Sequence, residues 1–124
     1  MSSHSERRIL RVLAHIHDNP GDDLSLDSLA DVAAMSRFHW HRVFQAMTGE
    51  TCAQAVRRLR MYRAARWLDR TDWPITRIPA KVGYANTTSF SRAFGEMVGC
   101  SPVSFRKNPV FIPKTAGKTQ DVRS

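Results

Sequence analysis

The stretch SRFHWHRVFQAM, residues 36–47, decides how the chain folds. Turned at about 100° per residue, it puts Trp40, Val43, Phe44 and Met47 on one side, the i, i+3, i+4, i+7 stripe of a helix packed on a core. Phe38, His41, Arg42 and Gln45 fall on the opposite side. A face that only meets water is usually built from Glu and Lys, whereas this one offers a ring, an imidazole and a guanidinium. Ser36 is a good N-cap, and Gly49 stands where a C-terminal stop is expected.

Outward from this helix the chain repeats itself, which marks a recurring structural unit. At an offset of 50 residues, Ser36 matches Asn86, Trp40 matches Phe90, Arg42 matches Arg92 and Phe44 matches Phe94. Met47 likewise matches Met97, Gly49 matches Gly99 and Thr51 matches Ser101. Upstream the offset is 49, pairing Leu26 with Ile75, Leu29 with Ile78 and Ala34 with Gly83, so Ala85 is an additional turn residue in the second copy. Each copy reads as a helix, a tight turn and a capped second helix, the helix-turn-helix plan. That plan explains the polar face at residues 36–47. The second helix buries one stripe against the first and offers the other to the major groove, where base edges display donors, acceptors and thymine methyls. Phe38, His41 and Arg42 are the candidate base-reading residues of the first unit, and Thr88, Ser89 and Arg92 those of the second. Helix N-termini at Ser36 and Asn86 suit phosphate; Ser36, Arg37, Asn86, Thr87, Arg58 and Arg106 are the candidate phosphate ligands.

The remaining segments complete an all-α reading of seven helices and no strand. The first spans about residues 5–18, with Ile9, Val12, Leu13 and Ile16 inward. The second starts at Ser25 and turns Leu26, Leu29, Ala30 and Ala33 inward. TCAQ (residues 51–54) has the form of a capping box and opens a fourth helix of about 19 residues, roughly 28 Å long. This rod carries Arg57, Arg58, Arg60, Arg63 and Arg66, and could place two reading helices in successive major grooves about 34 Å apart. TDWP (residues 71–74) sets up a fifth helix with Pro74 at its first position. Pro79 inside that helix removes a donor and crowds the Ile75 carbonyl, so a kink or a restart near residues 78–80 is expected. Ala34 stands at a turn that glycine would suit better. A sixth helix ends at Gly99 and a short seventh follows Ser101 and Pro102. The expected organisation is a first helix-turn-helix subdomain over residues 1–50, a linker helix over 51–70, a second subdomain over 71–107 and a mobile tail over 108–124.

The chain's 124 residues carry 19 Lys and Arg against 11 Asp and Glu, a net charge of +8. The excess is mostly arginine, whose planar fork fits phosphate and guanine edges, and a small basic domain of this kind points to nucleic acid. Cys52 and Cys100 lack metal-ligand spacing and, like the serines, an evident base, so the chain is expected not to be an enzyme. His39 and His41 diverge on a helix, as do His15 and His17, so no metal is expected; nor is any cofactor. No apolar run approaches a membrane span and residues 1–10 lack a secretory signal, so a cytoplasmic, nucleoid-associated protein is expected.

The segments LSLDSLADVAAMSRFHWHRVFQAMTG (residues 24–49) and PITRIPAKVGYANTTSFSRAFGEMVGCSPVSFR (residues 74–106) resemble the DNA-binding domain of AraC/XylS-family transcription regulators, above all its short stand-alone members. The resemblance covers about residues 9–107. It implies two helix-turn-helix subdomains on a long helix, with base contacts at Phe38, His41, Arg42, Thr88, Ser89 and Arg92. It further implies a monomer that binds an asymmetric duplex site and recruits RNA polymerase, more as an activator than as a repressor. Two alternatives stand beside it: a basic helical adaptor for an acidic protein or a polymerase subunit, and the DNA-binding fragment of a longer ligand-responsive regulator.

Overall fold

The structure, a computed structural model, describes residues 4–110. The expected tail lies outside the described residues from position 111 on. Seven α-helices follow in order: α1 (His4–Asp18), α2 (Leu26–Ala33), α3 (Arg37–Thr48), α4 (Cys52–Arg70), α5 (Ile78–Lys81), α6 (Thr87–Val98) and α7 (Pro102–Lys107). A 3₁₀ turn, Ile75–Arg77, precedes α5, and there is no strand among the described residues.

The caps sit where the sequence puts them. Side chains of Ser25, Ser36, Asn86 and Ser101 accept from the backbone N–H three residues on, at 3.2, 3.3, 2.8 and 3.1 Å. Thr51 and Gln54 form the full capping box at 3.1 and 2.8 Å. Each cap satisfies a donor that the first helical turn cannot pair internally, and its replacement by alanine typically costs about 1 kcal/mol.

Two apolar cores result. Ile9, Val12 and Ile16 of α1, Leu29 and Ala33 of α2, and Trp40 and Phe44 of α3 close on Ala55, Val56 and Leu59 of α4. Met61, Ala64 and Leu68 of the same helix close with Ile78, Val82, Phe90, Phe94 and Phe105 into the second. The repeat is visible in the packing: Trp40 and Phe44 stack with ring centroids 5.2 Å apart, Phe90 and Phe94 at 5.8 Å. The border between the cores falls between Leu59 and Met61, so α4 is a shared wall rather than a free linker. Cys52 is buried in the first core, and burial raises its thiol pKa.

Four details differ from the sequence reading or sharpen it. The helical stripe assigns Met47 and Met97 to the core, yet they are 46% and 38% exposed. Both lie in the last turn of their helix, at the edge of the core rather than within it. Pro74 does not open the fifth helix: its ψ of 141° is extended, and it only caps the 3₁₀ turn. Pro79 produces the expected break, since the 3₁₀ turn ends at Ile78 and Pro79 falls in the first turn of a new four-residue helix. There its missing N–H costs nothing, because first-turn donors have no partner in any case. Ala34 adopts the left-handed conformation (φ 58°, ψ 45°), as Gly83 does in the second unit (φ 81°).

Candidate nucleic-acid interface

The outward face of α3 keeps the composition that set it apart. Phe38 is 78% exposed, an unusual state for a phenyl ring; Arg42 and Gln45 are exposed and His41 is half-buried. On α6, Thr88, Ser89 and Arg92 are exposed. They line an open groove with Asn86, Arg57 and Glu96, so one wall is the outward face of α6 and the other is α4. Asn86 and Ser36 spend their side chains on capping, which leaves the N–H groups of each helix's first residues facing outward. Those free N–H dipoles favour an anion. Thr87 is exposed at the same end of α6, and Arg37 is exposed at the start of α3, beside Asp27 at 3.3 Å.

The arginines divide into two populations that the sequence does not distinguish. The sequence reading gives Arg58 to phosphate. In the structure its guanidinium is held by Glu50, with Nη2 2.6 Å from Oε2, and both side chains are only 14% exposed. Arg106, in α7 and likewise assigned to phosphate, is also engaged within the protein. All three of its nitrogens donate to carbonyls of the α4 end and the segment after it: Leu68 at 3.1 Å, Trp73 at 2.7 Å and Thr71 at 3.3 Å. Both guanidiniums serve the fold, because the carbonyls at a helix C-terminus and a sheltered carboxylate need partners. Arg57 pairs with Glu96, and Arg63 donates to the His17 carbonyl while lying 4.8 Å over the Trp67 ring. Arg60 donates to the Pro20 and Asp22 carbonyls at 2.8 and 2.9 Å. The basic stripe read along α4 is therefore largely spent inside the molecule. By contrast, Arg42 and Arg92 are exposed, occupy matching positions in the repeat and carry no hydrogen bond or ion pair among the described residues. The structural arginines could not be found by pattern, since their partners lie 8 to 46 positions away.

Two capped helices, each set on a short helix across a tight turn and each turning an unpaired arginine outward, define a protein with two helix-turn-helix units. A family model described as a helix-turn-helix domain matches residues 29–108. The transcriptional activator RclR of Escherichia coli is 32% identical over 112 residues, covering 83% of this chain and 39% of RclR. The transcriptional activator AarP of Providencia stuartii is 31% identical over 98 residues, covering 79% of this chain and 73% of AarP. The DNA-binding domain of the transcriptional factor AdpA, solved with a target DNA, shares the fold at a TM-score of 0.71 and 24% identity, over 86% of this chain and 92% of that one. The chain belongs to the AraC-type helix-turn-helix family of transcription regulators. It spans well under half the length of several of the relatives it matches, RclR among them.

Proposed function

We propose that the chain binds duplex DNA sequence-specifically as a monomer and activates transcription, reading two adjacent major-groove segments and recruiting RNA polymerase. In this reading Phe38, His41 and Arg42 read bases from α3, and Thr88, Ser89 and Arg92 read them from α6. The Phe38 ring meets a thymine methyl, and the arginine forks meet guanine O6 and N7. The first-turn N–H groups behind Ser36 and Asn86, with Arg37 and Thr87, hold phosphates and fix the register without reading sequence. The observation that carries the reading is the pair of exposed, unpartnered guanidiniums of Arg42 and Arg92 at repeat-equivalent places, in a chain that spends most of its α4 arginines internally.

Selection of bound duplexes from a random library, followed by footprinting, tests it. The expected result is one asymmetric site protected over about two helical turns. A protected stretch of a single turn would overturn the two-headed reading. Absence of any preferred duplex, with tight binding to an acidic protein instead, would replace it by the adaptor reading.

A further inference from the structure

The α1–α2 loop of the first unit does not end in solvent. Arg60, at the middle of α4, donates Nε to the Pro20 carbonyl at 2.8 Å and Nη2 to the Asp22 carbonyl at 2.9 Å. The same guanidinium covers the turn of the second unit: a Cβ added to Gly83 would stand 2.7 Å from its central carbon. The loop also touches the second unit directly, because a Cβ on Gly21 would stand 2.9 Å from the Lys81 carbonyl oxygen and 3.3 Å from that of Ala80. Asp23 and Tyr84 flank the group, and burial pulls the Arg60 pKa below its ordinary value while both neighbours oppose that. A desolvated cation is held only where its donors are satisfied. Arg63 adds a second tie one turn along, to the His17 carbonyl at the end of α1.

We infer that Arg60, with Gly21 and Gly83 packed around it, locks the two helix-turn-helix units at a fixed separation and rotation, and so makes the chain selective for the spacing between its two half-sites. This rests on the two-headed reading above. Each unit is already packed through its own core on its own half of α4, but neither core spans the two. The Arg60 fork is a direct tie between them, because it binds the loop of one unit and fills the turn of the other at once. Arg60 is a positioning residue; nothing in this role requires it to touch DNA.

The test uses the selected duplex and versions with one base pair inserted or deleted between the protected half-sites. One base pair moves the second half-site by about 3.4 Å and rotates it by roughly 35°. The wild-type chain should lose affinity roughly tenfold or more, the size of a base mismatch, while Arg60→Met should bind all three spacings within about threefold of one another. Met keeps the apolar stem and removes the donors. Gly21→Ala, which pushes the loop off the Lys81 carbonyl with Arg60 intact, should relax spacing in the same direction and carries the test if Arg60→Met fails to fold. A merely destabilised protein would weaken on all spacings alike. Amide exchange without DNA gives a second readout: Asp22 and Tyr84 should lose protection together in Arg60→Met, while the α3 and α6 cores keep theirs. Variants that retain the wild-type spacing penalty and the paired protection would overturn the lock. A wild-type footprint of one helical turn, with protection falling as expected in Arg60→Met, would overturn the two-headed reading and the spacing role, leaving the contact between the units.

Discussion

Ala34 and Gly83 occupy matching turns with the same left-handed backbone, and only one of them is the residue that conformation favours. A Cβ in this region costs about 1–2 kcal/mol, offset in part by the about 0.5–1 kcal/mol of extra chain entropy that glycine loses on folding. Ala34 is exposed, so its methyl contributes little packing. Ala34→Gly should therefore stabilise the protein by about 0.5–1 kcal/mol, a rise in Tm of a few degrees. Gly83→Ala should do the reverse and by more, since its Cβ would also displace the Arg60 guanidinium. Thermal melts of the two variants check the pair, and a lower Tm for Ala34→Gly would contradict the strain argument. The arginines show where reading by residue stops. Arg92 and Arg58 are both arginines on helices with capped N-termini, and nothing local tells them apart. One is free and the other is held by Glu50, because a carboxylate eight positions back is brought to α4 only by the fold.

At the scale of elements, the repeat and the caps carry most of the legible information, because each is a local rule: a cap is a side chain three residues from its donor, and a core stripe is a 3.6-residue period. The stripe misplaces Met47 and Met97 because periodicity says which way a side chain points and not whether anything lies beneath it. The segment around Pro79 illustrates both sides. Its break is legible from a ring that cannot pair in a helix interior, and the structure selects the restart over the kink; what the sequence reading misplaces is Pro74, which precedes a 3₁₀ turn rather than opening an α-helix. Pro79 is buried, and its carbonyl accepts from Val82 and Tyr84 at 3.1 and 2.9 Å. Trp73 is flanked by the Arg77 and Lys81 cations at 4.4 and 5.4 Å, which holds the 3₁₀ turn from outside. Restoring an N–H at position 79 therefore gains no helical bond. Pro79→Ala removes buried ring carbons worth about 0.8 kcal/mol each and frees the unfolded chain by about 0.4–1 kcal/mol. A destabilisation of about 1–2.5 kcal/mol is expected in urea unfolding, and a gain in stability would show that the break is imposed by the proline rather than by packing.

For the whole molecule, the division of arginines sets how binding should respond to salt. Each phosphate neutralised releases counterions and adds about −0.9 to the slope of log K against log salt. Six neutralised phosphates would give about −5, but with Arg58 and Arg106 held internally Arg37 is the one cation left among the assigned phosphate ligands, and a much shallower slope, about −1 to −2 with the two helix N-termini, is expected. Arg58→Ala should leave that slope unchanged and instead lower stability by about 1.5–3 kcal/mol, the worth of a hydrogen bond to a charged group, because Glu50 is left without its partner in a sheltered site. Arg42→Ala and Arg92→Ala should behave in the opposite way. Neither arginine supports the fold, so Tm should barely move, while removing either base-reading fork should weaken binding to the selected site by about 1–3 kcal/mol. The base preference each variant gives up should lie in a different half-site, about one helical turn apart. Binding isotherms at several salt concentrations, on the selected and on a scrambled duplex, separate these effects. If Arg42→Ala and Arg92→Ala weaken both duplexes by the same factor, the two arginines hold phosphate and the reading of bases must fall to Phe38, His41, Thr88 and Ser89. If Arg58→Ala flattens the salt slope, its ion pair with Glu50 opens on DNA, and the internal use of the α4 arginines is a property of the free protein alone.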